Sequence, residues 1–352
     1  MMTENYTLTE LSTALNVAIT NSTSASSSAS LGIAILSIAF IIGFPGNVFV
    51  IWTIFTRMKK RTVTCILISN LAIADIILIL TIPFFLHLLS TGSWRFGVII
   101  FKMCHYVSCL SMYASIFLIT FMSMDRFLAV AKPHMSHKVR TKLAAHIIVL
   151  AVWVLASLLA IPTPIYRTVT KSGMIQRCTN EVPVNGFQHI VFQYMLETLM
   201  GFVIPFTIIV SCYVYIGLRL RTVKFQTKHK TSRLVILIIV TFALFWIPYH
   251  VVNLIHISGE LSSSKKLIQA AYLAKPNATA FVFLSSSINP ILYVFAGGSF
   301  IRTAGVGFMA KLFEATGSEA GSLRKVSQVF QQRSRKQSSE QGKLQQPTET
   351  EH

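Results

Sequence analysis

Asp75 and Glu197 each stand inside a long run of apolar residues, and Asn47, Ser115, Thr120, Ser285, Ser286, Ser287 and Asn289 share that setting. Polar groups are costly in hydrocarbon unless they meet a partner, an ion or water, which makes these residues the first candidates for function. A carboxylate among hydroxyls and amides is a hard-oxygen site that suits a small cation or a proton. Asn47 and the serines also read as hydrogen-bonding glue between helices. No nucleophile stands at a plausible spacing from a base and an orienting group, so an enzyme is the least favoured reading. The cysteines, Cys65, Cys104, Cys109, Cys178 and Cys212, form no C-x-x-C pattern, and no His-rich cluster offers a transition-metal site.

The elements that must hold these groups are long apolar segments. Stretches of about 20 residues or more, enough to cross a bilayer as helix, fall at roughly 31–56, 63–89, 98–131, 143–165, 189–218, 233–257 and 267–295. The sequence therefore predicts an all-α integral membrane protein, a seven-helix transmembrane bundle over 31–298. The chain of 352 residues is 53% hydrophobic and only 12% charged, with a mean hydropathy of +0.61, which excludes an ordinary soluble globule. Six of the seven spans carry proline (Pro45, Pro83, Pro162 with Pro164, Pro205, Pro248, Pro290). Each bends a helix, either as a static kink or as a pivot.

A net charge of +19 raises the question of a nucleic-acid partner, and its distribution answers it. With the N-terminus outside, 23 of the 31 Lys and Arg fall in cytoplasmic loops and tail, so the positive-inside rule sets that orientation. The charge then belongs to membrane lipid and cytoplasmic partners, and no nucleic acid is expected. Outside, eight basic residues face Glu4, Glu10, Glu181 and Glu260, an excess that would attract an acidic ligand.

Residues 1–30 are Ser-, Thr- and Asn-rich and read as a disordered extracellular tail, with sequons at Asn5 and Asn21 as glycosylation acceptors. The segment 299–314 mixes apolar residues with Lys and Arg and is predicted to lie on the membrane surface as an amphipathic helix. Beyond it, 315–352 reads as a disordered cytoplasmic tail. There Ser327 and Ser338 each follow a basic pair, as kinases of basic preference require, and phosphate would recruit arrestin; the alternative is an unmodified tail held to anionic lipid.

Taken in order, Gly46-Asn47, Leu71-Ala72-Ile73-Ala74-Asp75, Asp125-Arg126-Phe127, Trp153, Pro205 with Tyr213, Phe242-Ala243-Leu244-Phe245-Trp246-Ile247-Pro248 and Asn289-Pro290-Ile291-Leu292-Tyr293 resemble the rhodopsin-like class of G-protein-coupled receptors. The resemblance runs over roughly 31–314 and implies a multi-pass plasma-membrane receptor without a resident cofactor. It implies a sodium ion held in the inactive state by Asp75, Ser115, Trp246, Ser285 and Asn289, and a toggle of Phe242, Trp246 and Pro248. It further implies an inner switch of Asp125, Arg126, Tyr213 and Tyr293, opened when helix six swings out at Pro248. Phe127 departs from the Tyr more usual at the end of the Asp-Arg motif.

Longer strings narrow the resemblance. Phe84-Phe85-Leu86-His87, Cys104-His105-Tyr106-Val107, Ser111-Met112-Tyr113-Ala114-Ser115, Pro248-Tyr249-His250-Val251-Val252-Asn253-Leu254 and Phe283-Leu284-Ser285-Ser286-Ser287 are similar to the leukotriene B4 receptors. That implies an acidic lipid ligand and an inhibitory-class G protein. Read physically, such a lipid needs a cation, hydrogen-bonding groups and an apolar channel. Arg167 or Lys275 is expected to meet the carboxylate, with His105, Tyr113, Glu197 and Asn253 near the hydroxyls. Each also has a bland reading: Arg167 as an interfacial side chain, His105 and Tyr113 as packing.

In this class Trp94-Arg95-Phe96-Gly97 is followed four residues later by the cysteine that ties span three to the next outer loop, and here Phe101 stands there. Either Cys104, one turn deeper, takes over the bridge to Cys178, or the tie is missing. Ile190 stands where the family pattern has an arginine. A related acidic lipid or a chemoattractant peptide is the alternative ligand. A seven-helix transporter is a rival of another class, but the chain has neither an internal repeat nor a continuous polar path.

Overall fold

The structure is a computed structural model that describes residues 2–56, 62–172, 175–180, 186–221 and 228–296, with side chains over 29–56, 62–132, 134–136, 138–166, 188–219 and 239–292. The predicted surface helix at 299–314 and the tail beyond it lie outside the described residues.

The chain forms a bundle of long helices. Helix α1, Met2–Thr56, passes through the membrane with its apolar portion Ala29–Thr56. Its backbone is helical back through the Ser- and Thr-rich stretch that composition marks as a disordered tail; that stretch holds no Gly or Pro to break a helix. Helix α2, Val63–Ile79, starts where Thr62 accepts a hydrogen bond from the backbone N–H of Cys65 at 3.4 Å. It yields after a turn to α3, Ile82–Thr91, because Pro83 belongs in a first helical turn and not in a helix interior. Gly92, at φ 65°, ends α3 in the left-handed region.

Helix α4, Gly97–Ala131, is 35 residues long, about 50 Å at 1.5 Å per residue, and runs through the centre of the bundle. The short α5, Pro133–Val139, follows it. Helix α6, Lys142–Ala160, is capped by Thr141, whose hydroxyl accepts from Ala144 N at 3.1 Å. Pro162 then opens the single turn α7, Pro162–Tyr166. Strands β1, Arg167–Ser172, and β2, Ile175–Asn180, pair antiparallel with Val169 opposite Cys178. This hairpin adds a small sheet that the all-α reading did not include.

Helix α8, Gly186–Thr198, passes through one π-helical turn, Leu199–Val203, into α9, Ile204–Arg221. Helices α10, Lys228–Leu261, and α11, Lys265–Ala296, complete the bundle. Among the described residues six segments are long and apolar enough to span a bilayer; α11, with Lys265, Lys266 and Lys275 in its outer half, is the seventh helix of the bundle and packs on α1 and α10.

The buried core joins Leu71, Tyr113, Ile116, Ile209, Phe242 and Trp246 across four helices. Large apolar side chains also face outward, Ile99 at 79%, Leu143 at 71% and Leu150 at 66% exposed. That inverts the soluble pattern and marks a lipid-facing surface. Helices α1 and α11 approach closely at Gly43, where a methyl group would stand 2.4 Å from Ser287 Oγ. Asn47 Nδ2 seals this contact by donating to Gly43 O at 3.0 Å and to Ser286 O at 3.2 Å.

Candidate functional site

At mid-bundle the Asp75 carboxylate is fully buried on α2. Ser115 Oγ on α4 donates to its Oδ1 at 2.9 Å, and Asn289 Nδ2 on α11 donates to its Oδ2 at 2.8 Å. A bond from Trp246 Nε1 to Ser285 Oγ at 3.2 Å links α10 to α11. Of the five residues expected around a cation, Ser115 and Asn289 thus bond to the Asp75 carboxylate, and Trp246 and Ser285 form a separate pair. The Trp246 indole stacks on Phe242, centroids 5.6 Å apart at 16°, and Phe242 stacks in turn on Phe206 and Phe202. Pro248 lies one turn beyond Phe245 within α10.

Above this core lies a cavity of about 710 Å³, within the size range of small-molecule sites. One flank, from α8, α10 and α11, is polar. Glu197 is 3% exposed and accepts from Gln193 Nε2 at 3.0 Å, Tyr249 Oη at 2.7 Å and Asn253 Nδ2 at 3.3 Å. Lys275 Nζ donates to Asn253 Oδ1 and lies over the rings of Tyr194 and Tyr249, 4.2 and 4.1 Å from their centroids. His256 Nε2 lies 3.3 Å from Glu260 Oε1 at the outer end of the same flank. The opposite flank, from α1, α2, α3 and α11, is apolar, with Leu36, Leu78, Phe85, Leu89 and Phe283. A cation and a hydrogen-bonding network face a hydrocarbon wall across one cavity, an arrangement that can hold an amphipathic acid.

Of the expected ligand residues, the structure brings His105, Glu197 and Lys275 to the cavity wall, and ties Asn253 to two of them. Tyr113 is fully buried and packs on Phe117; it is not among the cavity-lining residues, and its hydroxyl has no hydrogen-bond partner among the described residues. Arg167 opens β1, and its side chain lies outside the described residues, as do those of Cys178, Tyr293, Asn5 and Asn21, while Ser327 and Ser338 lie wholly outside. Cys104 is buried and packs with Trp94 and Phe101; its expected partner Cys178 has no described side chain. Tyr249 and Gln193, partners of Glu197, were not singled out from sequence; Tyr249 stood in one of the recognised strings, and Gln193 lies one helical turn before Glu197.

At the far end of α4 from the cavity, Asp125 pairs with Arg140, Nε to Oδ1 3.1 Å. Arg140 Nη2 also donates to Thr64 Oγ1 at 2.7 Å. Tyr213 on α9 is buried beside Ser123 and Arg126. Phe127 meets the ring of Tyr215 edge to face, centroids 4.9 Å apart, so the residue that replaces Tyr serves as an apolar contact between α4 and α9.

A lipid-embedded helical bundle with a buried carboxylate at its centre, an aromatic stack above it and a ligand-sized outer cavity defines a membrane receptor of the seven-helix type. The chain belongs to the family described as 7 transmembrane receptor (rhodopsin family), which it matches over residues 46–293. It is 48% identical over 301 residues to leukotriene B4 receptor 1 of Homo sapiens, covering 84% of this chain and 85% of that protein. To leukotriene B4 receptor 2 of Homo sapiens it is 37% identical over 302 residues, 83% of each. To the C3a anaphylatoxin chemotactic receptor of Oncorhynchus mykiss it is 32% identical over 301 residues, 84% of this chain and 81% of that one.

Proposed function

We propose that this receptor binds leukotriene B4, a long-chain fatty acid with one carboxylate and two hydroxyls, at the plasma membrane with its N-terminus outside, and signals through an inhibitory-class G protein. The observation that carries the reading is the two-sided cavity. Lys275 supplies a cation for the carboxylate, the Glu197, Tyr249 and Asn253 network supplies partners for hydroxyls, and the wall of Leu36, Leu78, Phe85 and Phe283 takes hydrocarbon. Identity of 48% to a leukotriene B4 receptor 1, against 32% to a receptor named for a peptide, supports the lipid over the peptide.

Ligand binding shifts the population towards a state in which α10 pivots at Pro248 and opens a cytoplasmic cleft lined by Arg126, Arg219 and Lys228. The aromatic stack from Trp246 to Phe206 is the packed element between cavity and cleft. Kinases acting on Ser327 and Ser338, and then arrestin, end the signal. The Asp75 site fits a sodium ion: its carboxylate is held by the neutral groups of Ser115, Ser286 and Asn289, whose hard oxygen atoms stand beside it. When bound, such an ion supplies the charge that balances a buried carboxylate and favours the inactive packing.

The test is leukotriene B4-stimulated nucleotide exchange on an inhibitory-class G protein in membranes carrying the full chain. A response at sub-micromolar ligand is expected. Silence with surface expression verified rejects the reading.

A further inference from the structure

Phe101 stands where the family motif has its tying cysteine, and the structure gives that ring a place in the cavity wall. It is 2% exposed and lines the cavity together with His105. The two rings meet edge to face, centroids 4.5 Å apart at 72°. On its other side Phe101 meets Trp94, 5.2 Å away at 76°. Trp94 is fully buried, and its Nε1 donates to Gly97 O at 2.8 Å, which fixes the indole against the start of α4. His105 has a second aromatic neighbour in Phe85, 5.2 Å away at 65°, and Phe85 rests on Phe283 of α11 at 5.8 Å. The imidazole is therefore gripped between two rings, one anchored through Trp94 in the outer loop and one anchored on α11.

An imidazole on a helix face has several staggered rotamers open to it. Edge-to-face aromatic packing on both sides selects among them, because the ring quadrupoles favour that geometry and the filled volume excludes the others. A small side chain at position 101 would leave the Trp94 side of His105 unfilled.

We propose that Phe101 is a positioning residue for ligand: it holds the His105 imidazole at the cavity wall, where a ring nitrogen meets an oxygen of the bound acidic lipid, and Trp94 backs it from the other side. The proposal rests on the lipid reading given above. In it the departure from the family's cysteine has a consequence for recognition, since the residue that fills the space also shapes the site.

The experiment is saturation binding of radiolabelled leukotriene B4 to membranes carrying the full chain, with surface display quantified. Phe101→Ala is expected to weaken binding about three- to tenfold, the range of one aromatic pair contact, and Phe101→Tyr, which keeps the ring, to stay within about twofold. His105→Ala should weaken binding to a similar degree, and the double variant should bind no more weakly than His105→Ala alone. Losses that multiply, or an unchanged Phe101→Ala, overturn the proposal. Should Phe101→Ala fail to reach the surface, Phe101→Leu, which keeps bulk without the ring, replaces it in the same cycle with the same criteria. Absence of binding by the unsubstituted chain overturns the lipid reading and this proposal with it, whereas binding with multiplicative losses overturns this proposal alone.

Discussion

Arg140 Nε lies 3.1 Å from Asp125 Oδ1, and the same guanidinium donates through Nη2 to Thr64 Oγ1 at 2.7 Å. One side chain from the turn after α5 thus binds the acid near the end of α4 to the start of α2. Its partner acid belongs to the Asp125-Arg126 motif that the resemblance assigns to an inner switch, which links this ion pair to the proposed activation. Both side chains are mostly covered, 13% and 19% exposed, so the pair is less screened than a surface ion pair. Arg140→Gln is expected to cost about 1 kcal/mol and to raise ligand-independent nucleotide exchange by releasing Asp125. Thermal unfolding in detergent and basal exchange on a G protein measure the two effects; a variant with unchanged basal exchange would contradict the link to the switch.

The spans were legible because run length and hydropathy are properties of whole segments, insensitive to the fate of any one residue. The Asp75 cluster was legible for a related reason: the few groups with hydrogen-bonding capacity in hydrocarbon have few partners besides one another. Arg140 was not, because its pairing depends on where the turn after α5 returns the chain, which no local pattern records. The same holds for Tyr249 and Gln193, whose hydroxyl and amide acquire meaning only when α10 and α8 bring them to Glu197. Tyr113 shares a helix face with His105 by spacing, yet the neighbouring Met112 lines the cavity at about the same depth, while the Tyr113 ring packs on Phe117 and beside Gly201 of the π-helical turn, a direction that no spacing along α4 records.

Glu197 accepts three hydrogen bonds, from Gln193, Tyr249 and Asn253. Glu197→Gln keeps the shape but replaces one acceptor oxygen by a donor, so at least one of those groups faces N–H instead of a lone pair. A loss of about 1–3 kcal/mol in stability is expected, the cost of one unsatisfied buried polar group, together with about tenfold weaker leukotriene B4 binding. Melting of the purified receptor and radioligand saturation report these separately. Wild-type values in both would show that the network is dispensable.

Lys275 is the described cation on the cavity's polar flank, positioned over two tyrosine rings. Replacing it by Gln removes the charge and keeps a donor for Asn253. Affinity for the acidic lipid should fall by about tenfold or more, as for a charge-assisted hydrogen bond of roughly 1.5–3 kcal/mol, and its dependence on ionic strength should flatten. Competition binding at two salt concentrations gives both readings. A full loss in Arg167→Ala with none in Lys275→Gln would move the carboxylate to the hairpin.

Asp75 is fully buried, and the hydrogen bonds it receives from Ser115 and Asn289 come from neutral groups. If sodium at this site favours the inactive packing, then raising sodium at constant ionic strength should weaken agonist binding, by about fivefold for a coupling near 1 kcal/mol. Asp75→Asn removes the charge that attracts the ion, so the same titration should become flat, while Lys275→Gln, on a different layer of the bundle, should keep its sodium response. Equilibrium agonist binding in sodium chloride against N-methylglucamine chloride decides the matter. A sodium effect that survives in Asp75→Asn would place the ion elsewhere; a flat response in the unsubstituted chain would leave the buried carboxylate to a proton, and agonist affinity should then vary with pH in the unsubstituted chain and not in the variant.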